Sequence, residues 1–149
     1  MKSFRQCQES AKSLAESVKY LDSKNLSKRS SLDIEGIQNI VDQFQLVAYG
    51  QVKEAVQCVD HWTDVEKSRS EDAWNNSSIE LAASSLAHVR YFVIKTFAAS
   101  LTNGLISITT PLKSILLSLF KMLAFTWIQE NFGDFLRHSG VQVTDNITR

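Results

Sequence analysis

Forty-nine consecutive residues, Leu81 to Gln129, carry four cations (Arg90, Lys95, Lys113 and Lys121) and no acid. A soluble surface ordinarily mixes both signs, so a span this long without a carboxylate narrows the folds open to the chain. It reads as helix wrapped in other protein, and 149 residues supply little to wrap it. The whole-chain charge hides this imbalance, because 16 Lys+Arg stand against 16 Asp+Glu. Residues 1–75 hold 10 basic and 12 acidic side chains, whereas residues 76–149 hold 6 and 4. A net charge of zero also removes the electrostatic footprint of a nucleic-acid binder. The length fits one domain with a real core. One proline and five glycines argue against linker-like or turn-rich all-β chains.

The apolar residues recur with helical spacing throughout, which predicts an all-α fold: an antiparallel bundle of about four main helices. The first helix spans residues 1–21, with Phe4, Cys7, Ala11, Leu14, Val18 and Leu21 at three- and four-residue intervals. A Ser/Lys/Asn-rich linker follows over residues 22–32. A helical domain then covers 33–139, and a polar flexible tail covers 140–149. Asp33 is placed to cap the second helix, with Leu32 and Ile37 as its staple. Its stripe is Ile37, Val41, Phe44, Ala48, Val52, Ala55, Val59 and Trp62, ending near Val65. Gly50 interrupts that stripe at a cost of about 1 kcal/mol relative to Ala, which close helix packing or a kink would explain.

The third helix opens at Ser68-Arg69-Ser70-Glu71, a capping-box spacing, and runs to Asn103-Gly104. Ile79, Ala82, Ala83, Leu86, Val89, Val93, Phe97 and Leu101 mark one face. Leu81, Ala87, Phe92, Ile94 and Ala98 fill others, which predicts a central helix. The fourth starts at Thr110-Pro111, with Thr110 as cap and Pro111 at the first helical position, and ends near Asn131. Lys113 and Lys121 would each cost about 2.5–3.5 kcal/mol near a bilayer centre. Eight residues apart, they lie within roughly 80° of each other around the helix. That suits a core helix with one edge in water rather than a membrane span.

Chemistry-bearing residues are sparse. His61, His88 and His138 have no partner at metal-ligand spacing, and no glycine-rich phosphate loop or nucleophile elbow occurs. No catalytic or metal-binding residue is assigned. Arg90 and Lys95 are the two odd residues of the apolar third helix. They snorkel to an edge or Arg90 pairs with a carboxylate; alternatively, one of them meets an anionic ligand group. Trp74 reads as a packing anchor. Cys7 and Cys58, 51 positions apart, read as two free thiols of a reducing compartment. Lys2, Arg5 and Lys12 interrupt any apolar leader, so the sequons at Asn25, Asn75, Asn76 and Asn146 are read as silent.

Three segments carry a resemblance. Asp72-Ala73-Trp74-Asn75-Asn76-Ser77-Ser78-Ile79-Glu80-Leu81 is followed by Ala87-His88 and by Tyr91-Phe92-Val93-Ile94-Lys95-Thr96-Phe97. Gly133-Asp134-Phe135-Leu136 comes after the fourth helix. In that order they resemble the A-W-N, Y-x-V-[IV]-K-x-F and G-D-F-L motifs in the C-terminal helical region of acyl-CoA oxidases. Met1-Lys2-Ser3-Phe4 resembles the M-K-S-[FY] that follows the oxidase active-site motif. Two features depart from the pattern. The family's A-H-C-H-Y stands here as Ala87-His88-Val89-Arg90-Tyr91, and the proline-rich linker is missing between Asp22 and Leu32.

The resemblance implies an incomplete C-terminal region of a peroxisomal fatty-acid β-oxidation flavoprotein. In that family FAD takes hydrogens from an acyl-CoA and passes electrons to O₂, and the subunits form a homodimer. The family's catalytic glutamate, in an upstream E-G motif, and its flavin-binding domain match nothing in this chain. The expectation is therefore that the chain alone is inactive, does not hold FAD stably and meets acyl-CoA only in a full-length context. Its partner would be an oxidase-type subunit, either as part of the enzyme or as a non-catalytic helical interaction module. Ile147-Thr148-Arg149 is not a peroxisomal S-K-L address, so peroxisomal location follows from the family and cytoplasmic location if the chain stands alone.

Overall fold

Gly36 sets the start of the first long helix. The computed structural model describes residues 20–21, 36–102 and 109–139. Within it Gly36 is extended (φ −79°, ψ 130°) and helix α1 spans Ile37–Asp60 with no side chain capping it. The start is thus later than the predicted Asp33 cap, because extended backbone at Gly36 stops the helix from propagating further back. Leu32 and Asp33 lie outside the described residues, as do the linker 22–32, the tail 140–149 and all of the first predicted helix except Tyr20 and Leu21. The predicted stripe is buried at Val41, Phe44, Ala48, Ala55 and Val59, and Ile40, Val47 and Gln51 widen it.

α1 runs into a five-residue π-helical extension, His61–Val65. The Glu66 N–H donates to the His61 carbonyl at 3.2 Å and the Ser68 N–H to the Trp62 carbonyl at 3.0 Å. Lys67 between them adopts φ 53°, the left-handed region. Ser68 closes this turn with its backbone and does not cap the next helix; α2 spans Ser70–Asn76, with Arg69 at its N-cap position and no side-chain capping hydrogen bond. Helix α3 spans Ser78–Thr102. The single long helix predicted here is therefore broken at Ser77 (φ −100°, ψ 14°). The hydrogen-bond ladder nevertheless crosses the break, from Ser77 N–H to the Ala73 carbonyl and from Leu81 N–H to the Ser77 carbonyl. The result is a bend at a fully buried serine.

Helix α4 spans Thr110–Glu130; Thr109, one residue ahead of the predicted Thr110, holds the N-cap position without a side-chain hydrogen bond, and Pro111 lies in the first turn. Helix α5 spans Phe132–His138. The described residues form five α-helices and no strand, an all-α architecture. Asn103-Gly104, the predicted stop of the third helix, lies outside them.

Packing is antiparallel. Phe44 and Val47 of α1 border the same small pocket as Ala83 and Ala87 of α3, while Ile37 and Val41, near the start of α1, line a cavity with Ala98 and Thr102 near the end of α3. Phe97 of α3 meets Phe120 of α4 edge-on at 5.5 Å and 89°, and Arg90 reaches Glu130 at the opposite end. Phe44 gathers Trp127 and Phe135 edge-on at 6.3 and 5.0 Å, so α1, α4 and α5 share one aromatic knot.

Three predictions about burial are corrected. α3 is not covered all round: it buries Ser84, Tyr91, Ile94, Ala98 and Leu101 against its neighbours, while Ile79, Leu86, Val89 and Phe92 face outward. The face chosen carries Ser84, Ala87 and Ala98, whose small side chains let α1 approach closely. α4 is not a core helix either, since only Phe120 and Ala124 are buried. Its opposite face exposes Leu112, Ile115, Leu119, Met122 and Phe125. By length and composition α4 could cross a membrane. Trp74 is 52% exposed rather than an anchor, because seven-residue α2 packs through Ala73 alone.

Candidate functional site

The chemistry-bearing residues gather where α1 and α3 diverge. A cavity of about 740 Å³ lies there, lined by Ile37 and Val41 of α1, Tyr91, Lys95 and Ala98 of α3, and Tyr20. Tyr20 is buried, and its hydroxyl lies 2.9 Å from His88 Nδ1 in hydrogen-bond contact. Its ring stacks on His88 at 5.5 Å and tilts against Tyr91 at 4.8 Å. Lys95 places its ammonium 5.8 Å from the centre of the Tyr91 ring, a cation–π distance.

Burial governs the protonation of this cluster. It pushes the Tyr20 hydroxyl far above its ordinary value, with the Tyr91 phenol adding to the effect. It raises Tyr91 too, helped by the nearby Asp42 carboxylate, and lowers His88. All three groups are therefore neutral near pH 7, and the lysine supplies the cavity's charge. Such a set can bind and orient; it holds no activated nucleophile and no carboxylate pair for proton transfer.

Arg90 behaves as one of its two readings anticipates. It lies 3.8 Å from Glu130 and over the Trp127 ring at 5.9 Å, which pins α3 to α4. Lys95 instead stands at the cavity, with its ammonium over the Tyr91 ring. The histidines do not converge: His61 is exposed beside Glu66 at 3.7 Å, His88 is at Tyr20, and His138 packs on Gly50. Among the described residues no three His, Cys, Asp or Glu side chains could hold a metal ion. Cys58 is half-buried and free; Cys7 lies outside the described residues.

A flavin dinucleotide needs backbone N–H groups or several cations around its pyrophosphate. The cavity lining offers one lysine and no glycine, and Gly50 is sealed by the His138 ring. These residues do not fit a flavin site of their own. Sequence reasoning singled out Lys95 but missed Tyr20, His88 and Tyr91 as a group, because 68 positions separate Tyr20 from His88. The one available signal was a lysine on an apolar helix.

Comparison with known proteins matches residues 36–148 to the family described as Acyl-CoA oxidase. Peroxisomal acyl-coenzyme A oxidase 1 of Homo sapiens is 30% identical over 108 residues, 72% of this chain. The protein of the same name from Phascolarctos cinereus is 33% identical over 79 residues, 53% of the chain. The chain spans only 16% and 11% of those two relatives' lengths. The match runs through every helix from α1 to α5, and the chain belongs to the acyl-CoA oxidase family.

Proposed function

We propose that this chain is the C-terminal helical portion of an acyl-CoA oxidase-like protein of peroxisomal fatty-acid β-oxidation. Its role in that reading is to pack against flavin-bearing catalytic domains and a second subunit. The family reaction is FAD-dependent oxidation of an acyl-CoA to the trans-2-enoyl-CoA, with O₂ reduced to H₂O₂. In this reading the chain alone is inactive, because the family's E-G glutamate motif and flavin-binding domain match no part of this sequence.

The observation that carries the reading is the family match over residues 36–148 combined with the uncovered apolar side of α3 and α4. Exposed apolar patches of this extent mark interaction surfaces. The purified chain, incubated with FAD and a straight-chain acyl-CoA, is expected to yield no peroxide above a heat-killed control. Peroxide production would overturn the claim of inactivity. Sedimentation or size-exclusion runs with the catalytic domains of an acyl-CoA oxidase should show a complex; two unshifted peaks would count against the packing role.

The same uncovered surface favours a second reading, a non-catalytic helical module that binds an oxidase-type subunit. It is distinguished by mixing the chain with an intact oxidase. Binding to the intact enzyme supports the module, and binding only to catalytic domains lacking their own C-terminal helices supports the first reading.

A further inference from the structure

The cavity between α1 and α3 has a chemistry that the packing role does not use. At about 740 Å³ it falls within the roughly 300–1,000 Å³ in which proteins hold small molecules. Ile37, Val41, Ala98 and Ala99 supply apolar wall, and the rings of Tyr20 and Tyr91 supply flat aromatic surface. Gln38, Gln45 and Thr102 add neutral polar groups, and Lys95 is the sole charged side chain of the lining. Asp42 of α1, whose carboxylate acts on Tyr91, is not part of the lining and accepts a hydrogen bond from Gln38 Nε2 at 2.9 Å. The first turn of α1, which opens on the same cavity, contains no acid, so the positive end of that helix adds to the lysine's field.

We propose that this cavity binds a small apolar monoanion of the aryl-alkyl carboxylate class. The carboxylate meets the Lys95 ammonium, and the ring and methylenes lie between the tyrosine rings and Ala98–Ala99. An amine of the same shape meets like charge, and an alcohol loses the charge-assisted contact. The proposal stands on the cavity alone and is independent of the oxidase reading.

The test uses the full chain titrated with 4-phenylbutyrate, 4-phenylbutan-1-ol and 4-phenylbutylamine, followed by calorimetry and by amide NMR shifts. Saturable binding of the carboxylate is expected, with shifts at Tyr91, Lys95, Ala99 and Gln38. The alcohol should bind about tenfold more weakly, the size of one charge-assisted contact, and the amine weaker still. Lys95→Met should reproduce the tenfold loss, and Lys95→Arg should largely restore binding. Equal affinity for all three probes, shifts centred on Met122 and Phe125 of α4, or no saturable binding would each overturn the proposal. Should Lys95→Met fail to fold by circular dichroism, the comparison of the three probes on the unaltered chain still decides.

Discussion

At Gly50 the chain has no room for a methyl group. A Cβ built there would fall on the imidazole ring of His138, so glycine is present for close approach of α5 to α1, not for a kink. Gly50→Ala is expected to destabilise by about 1–3 kcal/mol through overpacking, and the double variant with His138→Ala should recover part of that loss in thermal melts. Ser77 gives the opposite sign. Its hydroxyl is fully buried without a hydrogen-bond partner, so Ser77→Ala should be neutral or stabilising by up to about 1 kcal/mol. A lowered melting temperature would show that the hydroxyl contributes a contact.

His138 and His88 also set a pH response. Burial holds both below the ordinary value of 6.5, and for His138 it outweighs the upward pull of Glu54 and Asp134. The His138 Nε2 lies 3.7 Å from Glu54, a distance that makes a Coulombic contact but no hydrogen bond. Above 6.5 neither state carries these protons. As the pH falls through 6.5 the unfolded chain binds them first, so stability declines until the folded-state values are passed. Melting temperature should therefore fall between about pH 7.5 and about pH 5, and His138→Gln should flatten the curve. A pH-independent midpoint would refute the assignment.

Among the three long helices, α4 leans most on a single side chain. Phe120 is fully buried and meets Phe97 edge-on, whereas the rest of α4 leans on Trp127, Ala124 and the Arg90–Glu130 contact. Phe120→Ala should cost about 3–5 kcal/mol and release α4 ahead of α1 and α3 in hydrogen-exchange measurements. Exchange that stays uniform across the three helices would show that they unfold as one unit. The fourth helix was legible in the chain from Pro111 and the apolar run to Ile128, yet its burial was not. Composition says that a helix is apolar on all sides; it does not say how many neighbours exist to cover those sides. α3 posed the same difficulty, and its inner face followed from where small residues admit α1.

On the scale of the molecule the uncovered sides of α3 and α4 dominate. Met122→Glu combined with Phe125→Glu should leave the melting temperature of the chain nearly unchanged, as surface changes do, within about 0.5 kcal/mol. The pair should abolish the complex with oxidase catalytic domains in size-exclusion runs; retention of the complex would place the interface elsewhere. The acid-free stretch from Leu81 to Gln129 foreshadowed this surface, because helices so poor in charge leave apolar side chains wherever their own neighbours do not reach.

Read alone, the chain already establishes the helical class and the oxidase motifs around Trp74, Tyr91 and Gly133, with helix ends near Val65 and Asn131. Local spacing and capping chemistry act over a few residues and are written in order along the sequence. The inward face of α3, the closure of Gly50 by His138 and the meeting of Tyr20 with His88 and Tyr91 were settled by packing. Each depends on which distant side chains come within a few ångströms, and a helical period repeats too uniformly along an all-apolar helix to say which ones will.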